Sequence, residues 1–396
     1  MSILGIVCLL VALALLQRSR KALKQNHLQL VPRLSEVHPA VLIAARDESR
    51  VIEGLLKSLS GQTVKIPAKD IYVIVEDTAD PTVKICARYG VAVLFRQNLA
   101  KQRKGYALDE AVKQILQQDK HYDVYFIFDA DNILAEDYVE QMLKVYAKGY
   151  DIATGYRHAK NGNQNMITAV SSLTFSMINV MSNRRRAEYG ANIIFSGTGY
   201  YIDGALIEEW RGWPFQSLTE DYEISLYATL HGLSTTYDES AVFYDEQPTR
   251  YRQTVDQRVR WIKGYFAARA KYIPLIRAKK RGSNYGSLVK EQIGVRPAIW
   301  AIVGVLLILF GLSIDLCLIG QAQVILFAVP IILLLIYVIL MLVTVVMLKR
   351  EKQTFTARRR WQAVLFNPIY LASYIPCALK ALFTRDVKWR KVEHGH

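Results

Sequence analysis

Cysteine is scarce in this sequence: Cys8, Cys86, Cys317 and Cys377 are scattered over 396 residues, and three of the four lie in apolar runs. No two have metal-ligand or redox spacing, which excludes a thiol-built centre and fits a reduced, cytosol-facing soluble part. The seven histidines are equally dispersed, and none is a candidate ligand by position. There is no internal repeat and no low-complexity tract. Charged residues, at 21%, are too many for a bare membrane bundle, whereas 52% hydrophobic residues is high for a soluble enzyme. A soluble part joined to membrane segments satisfies both figures.

The formal net charge is +15. Such an excess can serve nucleic acid, an acidic membrane surface or a phosphorylated substrate. Much of it flanks apolar runs, at 17–24, 277–282 and 349–361. Membrane flanks therefore account for it, and no nucleic-acid partner is expected. The run 3–16 is followed by basic residues, whereas a cleaved signal peptide has its charge first. A transmembrane anchor over 1–24 with its N-terminus outside fits the positive-inside rule. The runs 297–320 and 324–348 are each long enough to cross a bilayer, forming a transmembrane hairpin over 297–348. Residues 349–396 read as a basic loop, an interfacial or re-entrant segment at 362–383 that contains Asn367, Pro368, Pro376 and Lys380, and a cytosolic tail. The expected location is the cell membrane, multi-pass, with the catalytic domain in the cytosol.

Residues 38–270 have the pattern of an α/β domain. The short apolar runs 40–45, 71–76, 91–96 and 124–130 alternate with helical patterns at 49–62 and 105–118. That alternation predicts a mostly parallel sheet covered on both faces. Ligands of such sheets sit beyond the carboxyl ends of the strands. The acidic clusters "RDE", "EDTAD" and "DAD" all fall there.

Three clusters carry chemistry. Asp129 and Asp131, two apart on a continuing strand, project from one face and repel unless a cation screens them. Alone, such a pair is most often a solvated strand end. With diphosphate and water oxygens it would suit Mg²⁺ or Mn²⁺. In "SLTEDYEISLYATLHG", Thr219 is placed to cap a helix with Glu220 and Asp221 in its first turn. That is a structural role, or else the cluster aims a general base into the cleft. In "QRVRWIKGYF", Gln257, Arg260 and Trp261 share one helix face. The helix is basic through Arg258, Arg260 and Lys263, and amphipathic enough to lie on a membrane.

In order, "AARDE", "VEDTAD", "RKGYALDEA", "DADN", "FSGTGYYI", "TEDYE" and "QRVRW" resemble the motifs of the family 2 glycosyltransferases. The branch they are most similar to is the membrane-bound one of cellulose, chitin, hyaluronan and poly-N-acetylglucosamine synthases. The resemblance runs from about Val41 to Lys263. It implies a GT-A fold, a Rossmann-like α/β domain with a mixed sheet that binds a nucleotide-sugar, together with transmembrane and interfacial helices. By position it implies that Glu48, and either Glu76 or Asp77, meet the uridine of a UDP-sugar, with Lys104 near the nucleotide. Asp129 and Asp131 would hold the Mg²⁺ or Mn²⁺, Gln257 and Arg260 the diphosphate, and Asp221 would be the base. Phe195, Gly197, Thr198, Gly199, Glu220 and Trp261 would form the acceptor side. The sequence departs from the family at "VEDTAD", where Glu76 precedes Asp77 and Asp80 stands three rather than four residues past Asp77. "AARDE" also replaces "PxxNE", and the membrane segments are fewer than in the largest synthases.

The expected activity is inverting transfer from a UDP-hexose to form β-linkages by a processive polysaccharide synthase that exports its product, with accessory export subunits as potential partners. The alternative is a non-processive transferase adding one or a few sugars to a lipid or glycolipid. A third reading is a catalytically silent carbohydrate-binding or export component.

Overall fold

The structure, a computed structural model, describes residues 36–280, 322–351 and 354–384. The expected anchor at 1–24, the run 297–320 and the tail from 385 lie outside the described residues. The first half of the domain alternates strand and helix. β1 (Pro39–Ala44), β2 (Ile71–Val75), β3 (Ala92–Phe95) and β4 (Val124–Asp129) are interleaved with α1 (Ile52–Ser60), α2 (Pro81–Tyr89) and α3 (Lys104–Leu116). β1, β2 and β4 are apolar almost throughout because helices cover both faces of the sheet. Ile52, Leu55, Leu56 and Leu59 of α1 pack on one face, and Leu108, Ala111, Val112 and Ile115 of α3 on the other. These four strands are parallel, and each begins and ends within one residue of its sequence-predicted run.

The second half is less regular. β5 (Ile133–Leu134), α4 (Tyr138–Tyr146), β6 (Ile152–Ala159), α5 (Met166–Met177), a π-helical turn at Ile178–Asn183 and α6 (Arg184–Glu188) come first. β7 (Tyr200–Asp203), α7 (Gly204–Trp210), α8 (Glu220–His231) and β8 (Thr235–Asp245) complete it. The sheet has the order β3-β2-β1-β4-β7-β6-β8-β5. β7 enters from the carboxyl edge of β4, pairing Tyr200 with Ile127, and so runs antiparallel to both β4 and β6. Six of the eight strands run one way and only β5 and β7 run the other, so the sheet is mostly parallel, as strand alternation predicts, and mixed, as the motifs imply.

α9 (Tyr251–Lys280) closes over the carboxyl edge and is followed by α10 (Ala322–Arg350), α11 (Ala357–Ala372) and α12 (Tyr374–Phe383). By length and composition, Val329–Arg350 and Ala357–Phe383 are each long and apolar enough to cross a membrane. The second stretch is broken at Ser373. α11 packs on α5 through Ala169, Leu173 and Ala363, and α12 on α9 through Val259, Cys377 and Ala381.

α3 starts hard against the chain before α8. A Cβ on Gly105 would lie 1.9 Å from the Phe215 carbonyl oxygen. Gly105→Ala is expected to cost about 1–3 kcal/mol, seen as a lowered Tm. Gly61→Ala, at φ −83 with its nearest contact at 3.4 Å, should change stability by no more than about 0.5 kcal/mol.

Candidate active site

The ends of β1, β2 and β4 are in register, Ala44 opposite Ile74 and Asp129. The segments that follow them therefore emerge along one edge. There they line a cleft of about 560 Å³ whose opposite wall is α9. Glu48, Glu76, Lys104, Asp129, Asp131, Phe195, Gly197, Glu220, Asp221, Gln257, Arg260 and Trp261 all line it. Residues of seven motifs spread over some 200 positions thus share one cavity.

Three expected residues do not line it. Asp77 is exposed, its Oδ1 accepting from the Ala79 amide at 2.9 Å. Glu76 takes the cleft position, bound to Arg46 at 3.1 Å and to buried Arg96 at 3.0 Å. Thr198 is fully buried beneath the cleft floor; its hydroxyl accepts from the Asp129 amide at 2.8 Å and donates to Asn132 Oδ1 at 2.5 Å. Gly199 has φ +64, and its Cβ would fall 2.2 Å from the Phe243 ring, so core packing demands this glycine. Gly197, at φ +92, does face the cleft, where its Cβ would be 3.7 Å from Asp221 Oδ2.

Local geometry departs from expectation at two further points. β4 stops at Asp129, so Asp131 reaches the cleft from a turn rather than from the same strand. Thr219 occupies the N-cap of α8 but makes no side-chain cap bond, and its buried hydroxyl has no partner. Its side chain is instead packed against Gly264 of α9, where a Cβ would lie 2.5 Å from it. That close approach seats the basic helix directly on the acidic loop.

Lys104, the first residue of α3, donates to Asp129 Oδ1 at 2.5 Å and to the Gly197 carbonyl at 2.7 Å. Burial would lower its pKa, but Asp129, Glu220 and Asp221 reverse that and hold it above the ordinary lysine value. Glu220 is pushed up to about 7 by burial and by neighbouring Asp221, against the pull of Lys104. Asp221 is raised by burial, opposed by the Tyr222 amide and by Lys104, Arg157 and Arg260.

Two residues absent from the sequence-predicted set complete the floor. Arg157 of β6 pairs with buried Asp245 of β8 at 2.5 Å, donates to the Ser196 carbonyl, and lies 3.6 Å over the Phe175 ring. Gln247 Nε2 donates to the same carboxylate at 2.9 Å. Asp245 is one more acid at the carboxyl end of a strand, the signal that marked the other three clusters. Trp261 meets Phe175 edge-on at 5.8 Å, giving the cleft an aromatic wall.

Among the described residues no group of three or more His, Cys, Asp or Glu side chains could hold a metal ion. Asp129 and Asp131 offer hard oxygen ligands and leave the remaining positions to a diphosphate and water, a set that fits Mg²⁺ or Mn²⁺.

The mixed sheet with its acidic carboxyl edge is a GT-A glycosyltransferase fold. Residues 38–264 match the family described as Glycosyltransferase like family 2, and the chain belongs to that family. It is 24% identical over 255 residues to the beta-monoglucosyldiacylglycerol synthase of Nostoc sp., covering 62% of this chain and 52% of that protein. It is 25% identical over 206 residues to glucomannan 4-beta-mannosyltransferase 2 of Arabidopsis thaliana, covering 48% and 38%. The chain spans about half the length, or less, of these relatives. The mannosyltransferase PcManGT of Pyrobaculum calidifontis, solved with GDP-Man and Mn²⁺, has the same fold: TM-score 0.55 and 17% identity over 97% of this chain and 99% of that one.

Glu220 gives a stability test. Its folded pKa of about 7 lies above the unfolded value of 4.5, so the folded state binds the proton more tightly. The stability it contributes is present below about pH 4.5 and is lost as pH rises through 7. Glu220→Gln should flatten the decline in unfolding free energy between pH 5 and 8, measured by denaturant titration, by an amount on the order of a few kcal/mol at most. A variant with the wild-type slope would contradict the assignment.

Proposed function

We propose that the protein is an inverting hexosyltransferase that works at a membrane surface on a lipid or glycolipid acceptor. The observation that carries this reading is the single cleft joining the aspartate pair, the Glu220–Asp221 carboxylates and the Gln257–Arg260–Trp261 face. Glu48 and Glu76 lie at the nucleotide end. The donor is a nucleoside diphosphate hexose, UDP-linked by the motif resemblance. GDP is the nucleotide bound to the structurally similar mannosyltransferase.

In this mechanism Gln257, Arg260 and Lys104 hold the diphosphate by charge-assisted hydrogen bonds. Asp221 removes the proton from the acceptor hydroxyl as its oxygen bonds to the anomeric carbon, opposite the breaking bond to the diphosphate. An α-linked donor thus yields a β-glycoside, and the nucleoside diphosphate leaves with the bonding electron pair. Asp221 later releases its proton to solvent. Its raised pKa brings the base closer to neutral pH, where proton transfer is more effective. A Mg²⁺ or Mn²⁺ held by Asp129 and Asp131 would supply positive charge at the leaving group.

The aromatic wall and the apolar helix beside it support this acceptor class. Tyr374 lines the cleft, and the helix it begins exposes Ile375, Leu379, Leu382 and Phe383. An apolar face next to the cleft suits a hydroxyl carried on an apolar chain. The apolar helices, with the basic flanks and the runs at 3–16 and 297–320, support a multi-pass location in the cell membrane with the cleft on the cytosolic side. The processive synthase is the second reading. It is favoured by the meeting of "TED" and "QRVRW" beside apolar helices, and accessory export subunits belong to it.

Protein in detergent with Mn²⁺ and a panel of UDP- and GDP-hexoses is expected to add one or a few sugars to a lipid acceptor. Long chains would favour the second reading. Asp221→Asn should lower transfer by about 10²–10⁴-fold while leaving nucleotide binding intact. Transfer at the wild-type rate would remove Asp221 as the base.

A further inference from the structure

Arg258 is fully buried, although it stands between Gln257 and Arg260 on the helix that walls the cleft. Its Nε donates to the Thr254 carbonyl at 3.1 Å and Nη2 to the Thr254 hydroxyl at 3.2 Å. Nη1 donates to the Tyr370 carbonyl at 3.3 Å and to Ser373 Oγ at 2.6 Å. The rings of Tyr370, Tyr374 and Tyr251 surround the guanidinium at 4.4, 4.8 and 5.5 Å. None of these partners is a carboxylate.

A buried charge is costly to retain, and an apolar side chain would seal the same seam. The neighbours on this face of α9, Val255, Val259 and Ile262, already do so against Cys377 and Ala381. The guanidinium adds geometry. Its fork grips the last turn of α11 and the one residue, Ser373, that ends α11 and precedes α12. The next residue, Tyr374, lines the cleft in company with Thr174, Phe175 and Trp261.

We propose that Arg258 is a positioning residue for the acceptor side: it fixes the α11–α12 break at Ser373 and thereby sets Tyr374 in the aromatic wall beside Trp261. This rests on reading that wall as the acceptor side. The hydrogen bonds and ring contacts of Arg258 go to Thr254, Tyr370, Ser373, Tyr251 and Tyr374, none of them assigned to the donor or the metal, so it acts on acceptor use and leaves the nucleotide end alone.

The test uses the full chain in detergent or nanodiscs, comparing wild type, Arg258→Met, Arg258→Lys and Ser373→Ala. Arg258→Met should raise the acceptor KM at least about tenfold, a loss typical of a misplaced binding wall. UDP or GDP affinity with Mn²⁺, and nucleotide release in the absence of acceptor, should stay within about twofold of wild type. Arg258→Lys keeps the charge without the fork and should restore the acceptor KM only in part. Ser373→Ala removes the 2.6 Å partner, keeps Arg258 itself, and should reproduce the KM effect if the methionine variant does not fold. Hydrogen exchange over Tyr374–Phe383 should rise about tenfold in Arg258→Met with exchange in α3 unchanged. Equal losses of donor and acceptor functions, an unchanged acceptor KM, or unchanged exchange in α12 would overturn the proposal. A wild-type protein that binds neither nucleotide would instead overturn the reading of the cleft, and the exchange measurement would still decide the role of Arg258.

Discussion

Charge compensation at the carboxyl edge of the sheet is the constraint on which the rest depends. Asp129, Asp131, Glu220, Asp221 and Asp245 all line one cleft. Carboxylates this close, with several of them buried, do not stay ionised together without cations among them. Lys104 is placed at the start of α3 to meet Asp129 directly and to act on Glu220 and Asp221 through space. Arg157 does the same for Asp245, and Arg260 adds a third positive group from α9. These three cations offset the acids in part, and Glu220 and Asp221 stay raised above their ordinary values. A divalent cation arriving with a diphosphate would place positive charge directly at Asp129 and Asp131.

That constraint explains why the basic helix sits where it does. Gly264 lets α9 touch the loop before α8, bringing Arg260 and Trp261 over the acids. The opposite face of the same helix holds α12. One helix therefore couples the chemistry to the apolar helices, which explains why its sequence mixes arginines with aromatics.

Much of this was legible in the sequence, for physical reasons. β1, β2 and β4 are buried on both faces and leave continuous apolar runs; their carboxyl ends then announce themselves as acids. The second half of the sheet was not legible. β8 carries "DES" in its middle where the strand is exposed, and β6 has a register irregularity at Gly155/Tyr156, so neither shows a clean period. Arg157 and Asp245 were missed with those strands. Gly199 was misassigned because a glycine near a ligand and a glycine under a core phenylalanine look alike in sequence. Arg258 reads in sequence as one more basic residue of the helix, although it lies three residues after Val255 and four before Ile262, on the apolar face.

The central claim is that Asp129 and Asp131 form half of a cation site whose other half arrives with a nucleotide. Mn²⁺ binding followed by electron paramagnetic resonance, with and without UDP or GDP, tests it most directly. Nucleotide should tighten Mn²⁺ binding by roughly tenfold or more, and Asp131→Asn should abolish the gain. Mn²⁺ affinity indifferent to nucleotide, or unaltered in Asp131→Asn, would contradict the account.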